Sequence, residues 1–339
     1  IRVDEELVPM RFRYIVQADW DRLIQPICPP GKWPMWLQDG DVEFYYDVEG
    51  LGRVHVSLFR EREGAAAVFE MIPANVPTLE ALALPHHLER LADLEEGLVL
   101  ICGTSGSGTS TTLASLVDAI NQRSTRHIVT VEDPIDYVYV PRKSVIHQRE
   151  VGVHVPSYES AMRAVLRESA DVIVLGAVRD PEVLQLALEA VETGTLVFAV
   201  VNTRSTSAAL ERLVEAFPED EQGPLRERLG DALRVALSQQ LVVTNTGAKQ
   251  PALEILLNTI AVAKDIRGGR WDAIPTHLAE NRGVGMISMD HCLFDMWKED
   301  VITQEIAYDR CHDRPYIASL FDAENQLAEQ EQRAAVEAM

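Results

Sequence analysis

The chain has 339 residues, 47% of them hydrophobic and 25% charged. That is the balance of an ordinary soluble globular protein, with length for two domains of roughly 100–200 residues each. A net charge of −22 argues against nucleic acid and anionic membrane as main partners, since both need clustered Lys and Arg. No run of about 18 apolar residues is present, so no integral membrane segment is expected, and no signal peptide is visible. Four cysteines, Cys28, Cys102, Cys292 and Cys311, lie without metal-type spacing. They suggest a reducing, cytoplasmic setting, no disulfide framework and no metal site.

Ile1 is not a methionine and reads as part of a strand, so residues are expected to precede it. Residues 1–73 read as an α+β domain. Arg53 to Phe59 alternates apolar and polar side chains, as a half-buried strand does. Asp41 to Val48 reads as its hairpin partner, with the turn at Glu49-Gly50-Leu51-Gly52. A Pro-rich connector around Ile72 to Thr78 marks the linker, placed at 74–85. A helical segment is expected from Glu80 to about Glu95, overlapping that linker. Residues 86–253 then form an α/β core. Its apolar strands are expected at Leu98–Cys102, Ile128–Val131, Val172–Leu175 and Leu196–Val201, with a helix at Thr109–Gln122. Such alternation of buried strands and helices specifies a parallel sheet. A helical C-terminal part is expected over 254–323, and 324–339 reads as a frayed helix or tail.

Between the first apolar core strand and the helix stands Gly103-Thr104-Ser105-Gly106-Ser107-Gly108-Thr109-Ser110. It follows the phosphate-loop pattern G-x-x-x-x-G-K-[ST] except at one position. Glycines there let backbone N–H groups converge on phosphate oxygens, and the helix N-terminus adds partial positive charge. Gly103, Gly106, Gly108, Thr109, Ser110 and Thr111 are the nucleotide-binding candidates, with Ser110 placed for Mg²⁺. Thr109 stands where the lysine belongs, and a hydroxyl supplies no charge to bridge phosphates. Losing one charge-assisted contact costs roughly 1.5–3 kcal/mol.

Further motifs follow in order: Val131-Glu132-Asp133-Pro134-Ile135-Asp136-Tyr137, Gln148-Arg149-Glu150-Val151-Gly152, Asp171 to Asp180, Glu192-Thr193-Gly194, Val201-Asn202-Thr203 and Ser238-Gln239-Gln240-Leu241. With the phosphate loop, this set resembles the PilT-like family of type II/IV secretion-system ATPases, the pilus-retraction ATPases. The likeness runs from Val3-Asp4-Glu5 to Ser288-Met289-Asp290 and slightly beyond. It implies a RecA-like P-loop core over 86–253, a PAS-like N-terminal domain and hexameric rings. ATP with Mg²⁺ would be the cofactor, beside a neighbouring subunit. It also implies a place in twitching motility, in the cytoplasm and peripheral at the inner membrane through the pilus machinery. Partners would be further copies or active PilT-like subunits.

Against that family pattern, the chemistry is depleted. Glu132 matches the acidic residue of the Asp box and is retained. Ala177 stands where the Walker B glutamate is usual, and Asn202 where the histidine box has its histidine. Thr195 replaces a second common histidine, and Glu70 replaces an arginine. Arg53, Arg60 and Arg62 match the region of phosphate-facing arginine fingers. Ala261 to Gly268 has drifted from the family's A-I-R-N-L-I-R-E segment. Removing one preorganised electrostatic group costs roughly 10²–10³ in rate, so a pseudo-ATPase with weak or absent nucleotide binding is expected. In that reading the protein is a noncatalytic structural or regulatory ring component. The alternatives are a divergent active ATPase relying on Glu132, Asp171 and arginines, and an independent protein-binding module.

Overall fold

The computed structural model describes residues 1–337 apart from 4–5, 12–14, 50–51 and 73–74. The expected turn positions Gly50 and Leu51, Pro73 at the linker, Asp4 and Glu5 of the first shared motif, and the last two tail residues lie outside the described residues. Two units divide after Asn75, inside the expected 74–85 linker.

The N-terminal unit opens with a short antiparallel pair, β1 (Arg2–Val3) and β2 (Glu6–Leu7), then helices α1 (Gln17–Ile24) and α2 (Lys32–Asp39). An antiparallel sheet follows in the order β3 (Asp41–Val48), β4 (Gly52–Glu61), β5 (Gly64–Ile72). Alternation on β3 and β4 puts Val42, Phe44, Val54, Val56 and Leu58 on one face. There they pack with Trp20, Ile24 and Trp36 of the helices. The period-2 pattern read from the sequence is thus the buried face of a hairpin.

In the second unit, the helical segment expected from Glu80 to about Glu95 is helical only in its second half. Turns lead instead into a 3₁₀ helix at His86–Asp93 that buries Leu88, Leu91 and Ala92. Pro85 at its start and the short apolar spacing favour the tighter coil. The central sheet has seven strands in the order β12-β11-β6-β10-β9-β7-β8. These are β6 (Gly97–Cys102), β7 (His127–Glu132), β8 (Val145–Glu150), β9 (Val172–Leu175), β10 (Leu196–Val201), β11 (Leu233–Val243) and β12 (Lys249–Leu257). All neighbours pair parallel except β11 with β12.

Strand β6 explains why the core is legible. Every residue is buried, and alternate side chains serve opposite layers. Leu98, Leu100 and Cys102 pack in one layer with α5 (Pro181–Glu192). Val99 and Ile101 pack in the other with α3 (Thr109–Arg123). Each fully buried aliphatic contributes about 1.5–3 kcal/mol. Helices α4 (Tyr158–Val165), α6 (Thr206–Glu215) and α7 (Glu219–Ala232) complete the flanks.

The helical C-terminal part begins later than expected. Glu254 lies within β12, and helices resume at α8 (Ile260–Gly268), then α9 (Ile274–Glu280), α10 (Met289–Lys298), α11 (Gln304–Arg310) and α12 (Arg314–Glu337). The antiparallel β11–β12 pairing, from Val235↔Leu257 to Val243↔Lys249, holds this stretch extended. Among the described residues, no helix is long and apolar enough to cross a membrane.

Candidate nucleotide site

Parallel strands place the phosphate loop at the carboxyl end of β6. The Gly103 amide donates to the Val201 carbonyl at 3.2 Å, and the Ser107 amide to the Thr104 carbonyl at 3.0 Å. Gly106 and Gly108 adopt φ of +79° and +81°, a left-handed backbone that glycine takes without Cβ strain. Gly108 caps α3, so the loop delivers the chain to the helix N-terminus.

The loop is shaped from within. A Cβ built on Gly103 would stand 2.2 Å from Ser107 Oγ and 2.6 Å from Thr109 Cγ2. The Thr109 side chain therefore packs back onto Gly103, against the start of its own loop. Ser107 is 4% exposed, and its hydroxyl has no hydrogen-bond partner among the described residues. Ser110 is exposed at the helix start. Gln239 of β11 pins the loop: its Nε2 donates to the Ser107 carbonyl at 2.8 Å, and its Oε1 accepts from Thr112 Oγ1 at 2.7 Å. Sequence reading took Ser238-Gln239-Gln240-Leu241 only as a closing motif. A polar residue inside an apolar strand was the signal for this role.

Beside the loop opens a cleft of about 630 Å³, lined by Ala81, Leu82, Thr111, Gln239, Leu241 and Asn245 among others. Its walls mix apolar side chains with threonine hydroxyls, amides and the charged side chains of Lys249 and Asp300.

At the end of β7, Glu132 is held by its own strand and by β8. Thr130 Oγ1 donates to its Oε1 at 2.5 Å and Gln148 Nε2 at 3.3 Å. Burial pushes its carboxyl up to about 7, opposed by those two hydrogen bonds, while the Asp136 charge adds to the rise. Gln148 also donates to the Tyr137 carbonyl at 2.7 Å, and the Tyr137 hydroxyl meets Thr111 Oγ1 at 3.0 Å. The phosphate-loop helix and Glu132 thus belong to one polar chain. Gly176, just before Ala177, is packed close to Glu132: its missing Cβ would lie 3.2 Å from Glu132 Cα and 3.3 Å from the Tyr158 hydroxyl. That hydroxyl is buried without a partner among the described residues, and sequence reading missed it.

The remaining candidates separate. Asn202 follows β10 beside the loop, exposed, with its carbonyl accepting from Arg212 Nη1 at 3.0 Å. Thr195 precedes β10, where its carbonyl accepts from the Gly97 amide, and Asp171 accepts from the His127 amide at 2.7 Å. Both stand at the amino ends of the strands, about 20 Å from the phosphate loop at about 3.3 Å per residue. Neither belongs to the site, so Asp171 is unavailable for compensating chemistry. In the N-terminal unit, Arg53 stacks over Tyr45 at 4.1 Å. Arg60 donates to the Leu37 carbonyl at 3.0 Å and stacks on Trp36, so it caps α2. Arg62 pairs with Glu63 at 2.8 Å, and Glu70 is exposed on β5 opposite His55.

A glycine loop between a buried parallel strand and a helix, with an acidic residue three strands along the sheet, defines a RecA-like P-loop fold. The profile of the Type II/IV secretion system protein family (T2SSE) matches residues 69–289, and the chain belongs to that family. It is 41% identical over 270 residues to the uncharacterized protein YggR of Escherichia coli K12, covering 80% of this chain and 83% of that one. It is 36% identical over 270 residues to the type IV pilus retraction ATPase PilT of Pseudomonas aeruginosa, covering 80% and 78%. The crystal structure of the pilus retraction motor PilT with bound ADP superposes with a TM-score of 0.82 at 34% identity, covering 88% of this chain and 85% of that one.

Proposed function

We propose that this protein is a PilT-like member of its family with a degenerate nucleotide site, acting as a noncatalytic structural or regulatory ring component of type IV pilus machinery. The observation that carries this reading is Thr109: at the lysine position stands a short neutral side chain packed onto Gly103. Ala177 adds the loss of a carboxylate beside Glu132. Without the lysine, phosphate binding relies on backbone N–H groups and the helix terminus. Without the carboxylate, Mg²⁺ and the attacking water lack an organiser.

An adenine nucleotide, such as the ADP in the PilT crystal structure, fits what remains. Gly106, Gly108 and the first turn of α3 would meet its phosphates, Ser110 would face Mg²⁺, and the cleft beside Leu82 and Leu241 would take its base. Affinity would be weak. In a ring, this subunit would sit beside copies of itself or active relatives, on the cytoplasmic side of the inner membrane.

Phosphate release and calorimetry with ATP and Mg²⁺ on one preparation test the reading. The expected result is no appreciable turnover and a dissociation constant well above micromolar. Turnover near about 1 s⁻¹, the low end of ordinary enzymes, would overturn it. A second reading, a divergent active ATPase, draws on one observation. Glu132 keeps a partner shell and a carboxyl titrating near neutrality, which suits a general base. Turnover abolished by Glu132→Gln would establish that reading instead.

A further inference from the structure

Glu254 on β12 is 3% exposed, yet both carboxylate oxygens are engaged. Oε1 accepts from the Thr206 amide at 2.8 Å and from Thr206 Oγ1 at 2.7 Å. Oε2 stands 3.4 Å from His312 Nδ1. Thr206 opens α6 and ends the short segment from Asn202 to Ser205. That segment leaves β10 directly after Val201, whose carbonyl receives the first amide of the phosphate loop. Strand β11 fixes the same segment, because Ser238 Oγ donates to the Arg204 carbonyl at 2.8 Å.

His312 lies in the turn between α11 and α12. Its amide donates to Asp290 Oδ1 at 2.6 Å, and Gln240 Nε2 donates to the Arg310 carbonyl at 2.9 Å. One buried carboxylate therefore joins three parts: the segment beside the phosphate loop, the sheet, and the turn that carries the last helices. A buried carboxylate is costly unless it is paired and hydrogen-bonded. Among the described residues, the imidazole is its one hydrogen-bonding partner that can gain or lose a charge.

We infer that His312 is a pH-dependent positioning residue: protonated, it clamps the α11–α12 turn to Glu254 and so holds residues 202–206 in place beside the phosphate loop, and neutral, it releases them. This goes beyond the proposed function and does not require nucleotide to bind. Among the described residues, the charged groups that face the imidazole are Glu254 from β12, Asp290 from α10 and Arg204 from the 202–205 segment. Burial pulls His312 down, but the hydrogen bond and charge of Glu254, with the charge of Asp290, outweigh it and the repulsion of Arg204, so the net direction is up. Burial pushes Glu254 up, but His312 and Thr206 more than offset it, so the net direction is down.

The signs set the window. A raised histidine contributes stability below its ordinary 6.5, lost as pH rises through its folded value. A lowered carboxyl contributes above its ordinary 4.5, lost as pH falls through its folded value. The clamp is therefore closed in mild acid and opens on the alkaline side.

Hydrogen exchange read by mass spectrometry on the full chain tests this, with rates corrected for intrinsic pH dependence. Between pH 6 and pH 8.5, protection of residues 202–215 and 304–321 should fall together, in the direction set by a raised histidine. His312→Gln, which cannot be charged, should show the low protection at both pH values. The wild-type His312 ring should titrate above an ordinary histidine by NMR, and Glu254→Gln should bring it down. Protection unchanged with pH in the wild type, or a pH response surviving in His312→Gln, would overturn the inference. So would a His312 ring that titrates below the ordinary range.

Discussion

The phosphate loop and the end of β7 have kept different things. The loop retains its backbone: left-handed glycines at 106 and 108, a helix N-terminus, and Gln239 bonded to the Ser107 carbonyl. What it lacks is a cation. At the end of β7 an acidic group is present, with Thr130 and Gln148 on the Glu132 carboxyl, and the residue after the adjoining Gly176 is the alanine Ala177. The loop's shape depends on packing that continues into the core, since Gln239 is itself buried on β11. A cation at position 109 is not something that packing requires. The fold sets the shape of the loop without setting the charge at position 109.

The largest effect that would sharpen this contrast comes from restoring both chemical groups. Thr109→Lys with Ala177→Glu should raise ATP hydrolysis from background by at least 10²–10³, the range for one preorganised group, measured by phosphate release. Thr109→Lys alone should leave turnover at background, because Mg²⁺ and water stay unorganised. Robust hydrolysis by the single variant would break the comparison and show that Ala177 does not matter.

Next in size is the affinity effect of that single variant. Thr109→Lys should tighten ATP binding about ten- to a hundredfold, or roughly 1.5–3 kcal/mol for a charge-assisted contact. Calorimetry reads it directly. No gain would mean that the loop no longer accepts phosphate in its present shape. Gln239→Ala probes the shape itself. It leaves the Ser107 carbonyl and the Thr112 hydroxyl without this partner, so chemical denaturation should show a loss of about 1–3 kcal/mol. A neutral result would mean that the loop is held by its glycines alone.

How much of this was legible depended on which physical signal each feature leaves. β6, β9 and β10 are unbroken apolar runs, and they read correctly because burial on both faces forces that composition. β8 has the sequence Val-Ile-His-Gln-Arg-Glu on the open edge of the sheet, where one flank meets no strand. It carries no apolar run and was read only as a motif. The stretch around Glu254 reads as the start of a helical region, because strand β12 pairs antiparallel with β11 through contacts no local pattern announces. At the site, the glycine loop was legible by spacing. Thr195 and Asp171 were grouped with it by motif order, but motif order is blind to which end of a strand a residue occupies. Gln239 and Tyr158 act through neighbours distant in sequence; a polar side chain inside an apolar strand points to Gln239, and nothing local points to Tyr158.

The smallest effect concerns Glu132, and it tests the retained half of the comparison. Burial holds its carboxyl up at about 7 against an ordinary 4.5, so the folded protein keeps this proton where the unfolded chain has released it. Between those pH values the native state binds more protons than the unfolded state, and stability falls as pH rises. The loss develops from about pH 4.5 and is complete a little above pH 7. Glu132→Gln keeps the size and an oxygen to accept from Thr130 and Gln148, but cannot ionise. It should therefore flatten the fall in stability between pH 5 and pH 8. At pH 8 it should be the more stable protein, by on the order of 1–2 kcal/mol after discounting for partial exposure. At pH 5 the two should nearly coincide. Denaturant titrations at both pH values measure this. Equal slopes in the two proteins would mean that Glu132 ionises freely in the folded state, and its shell would then be scaffolding rather than a preserved proton-holding site.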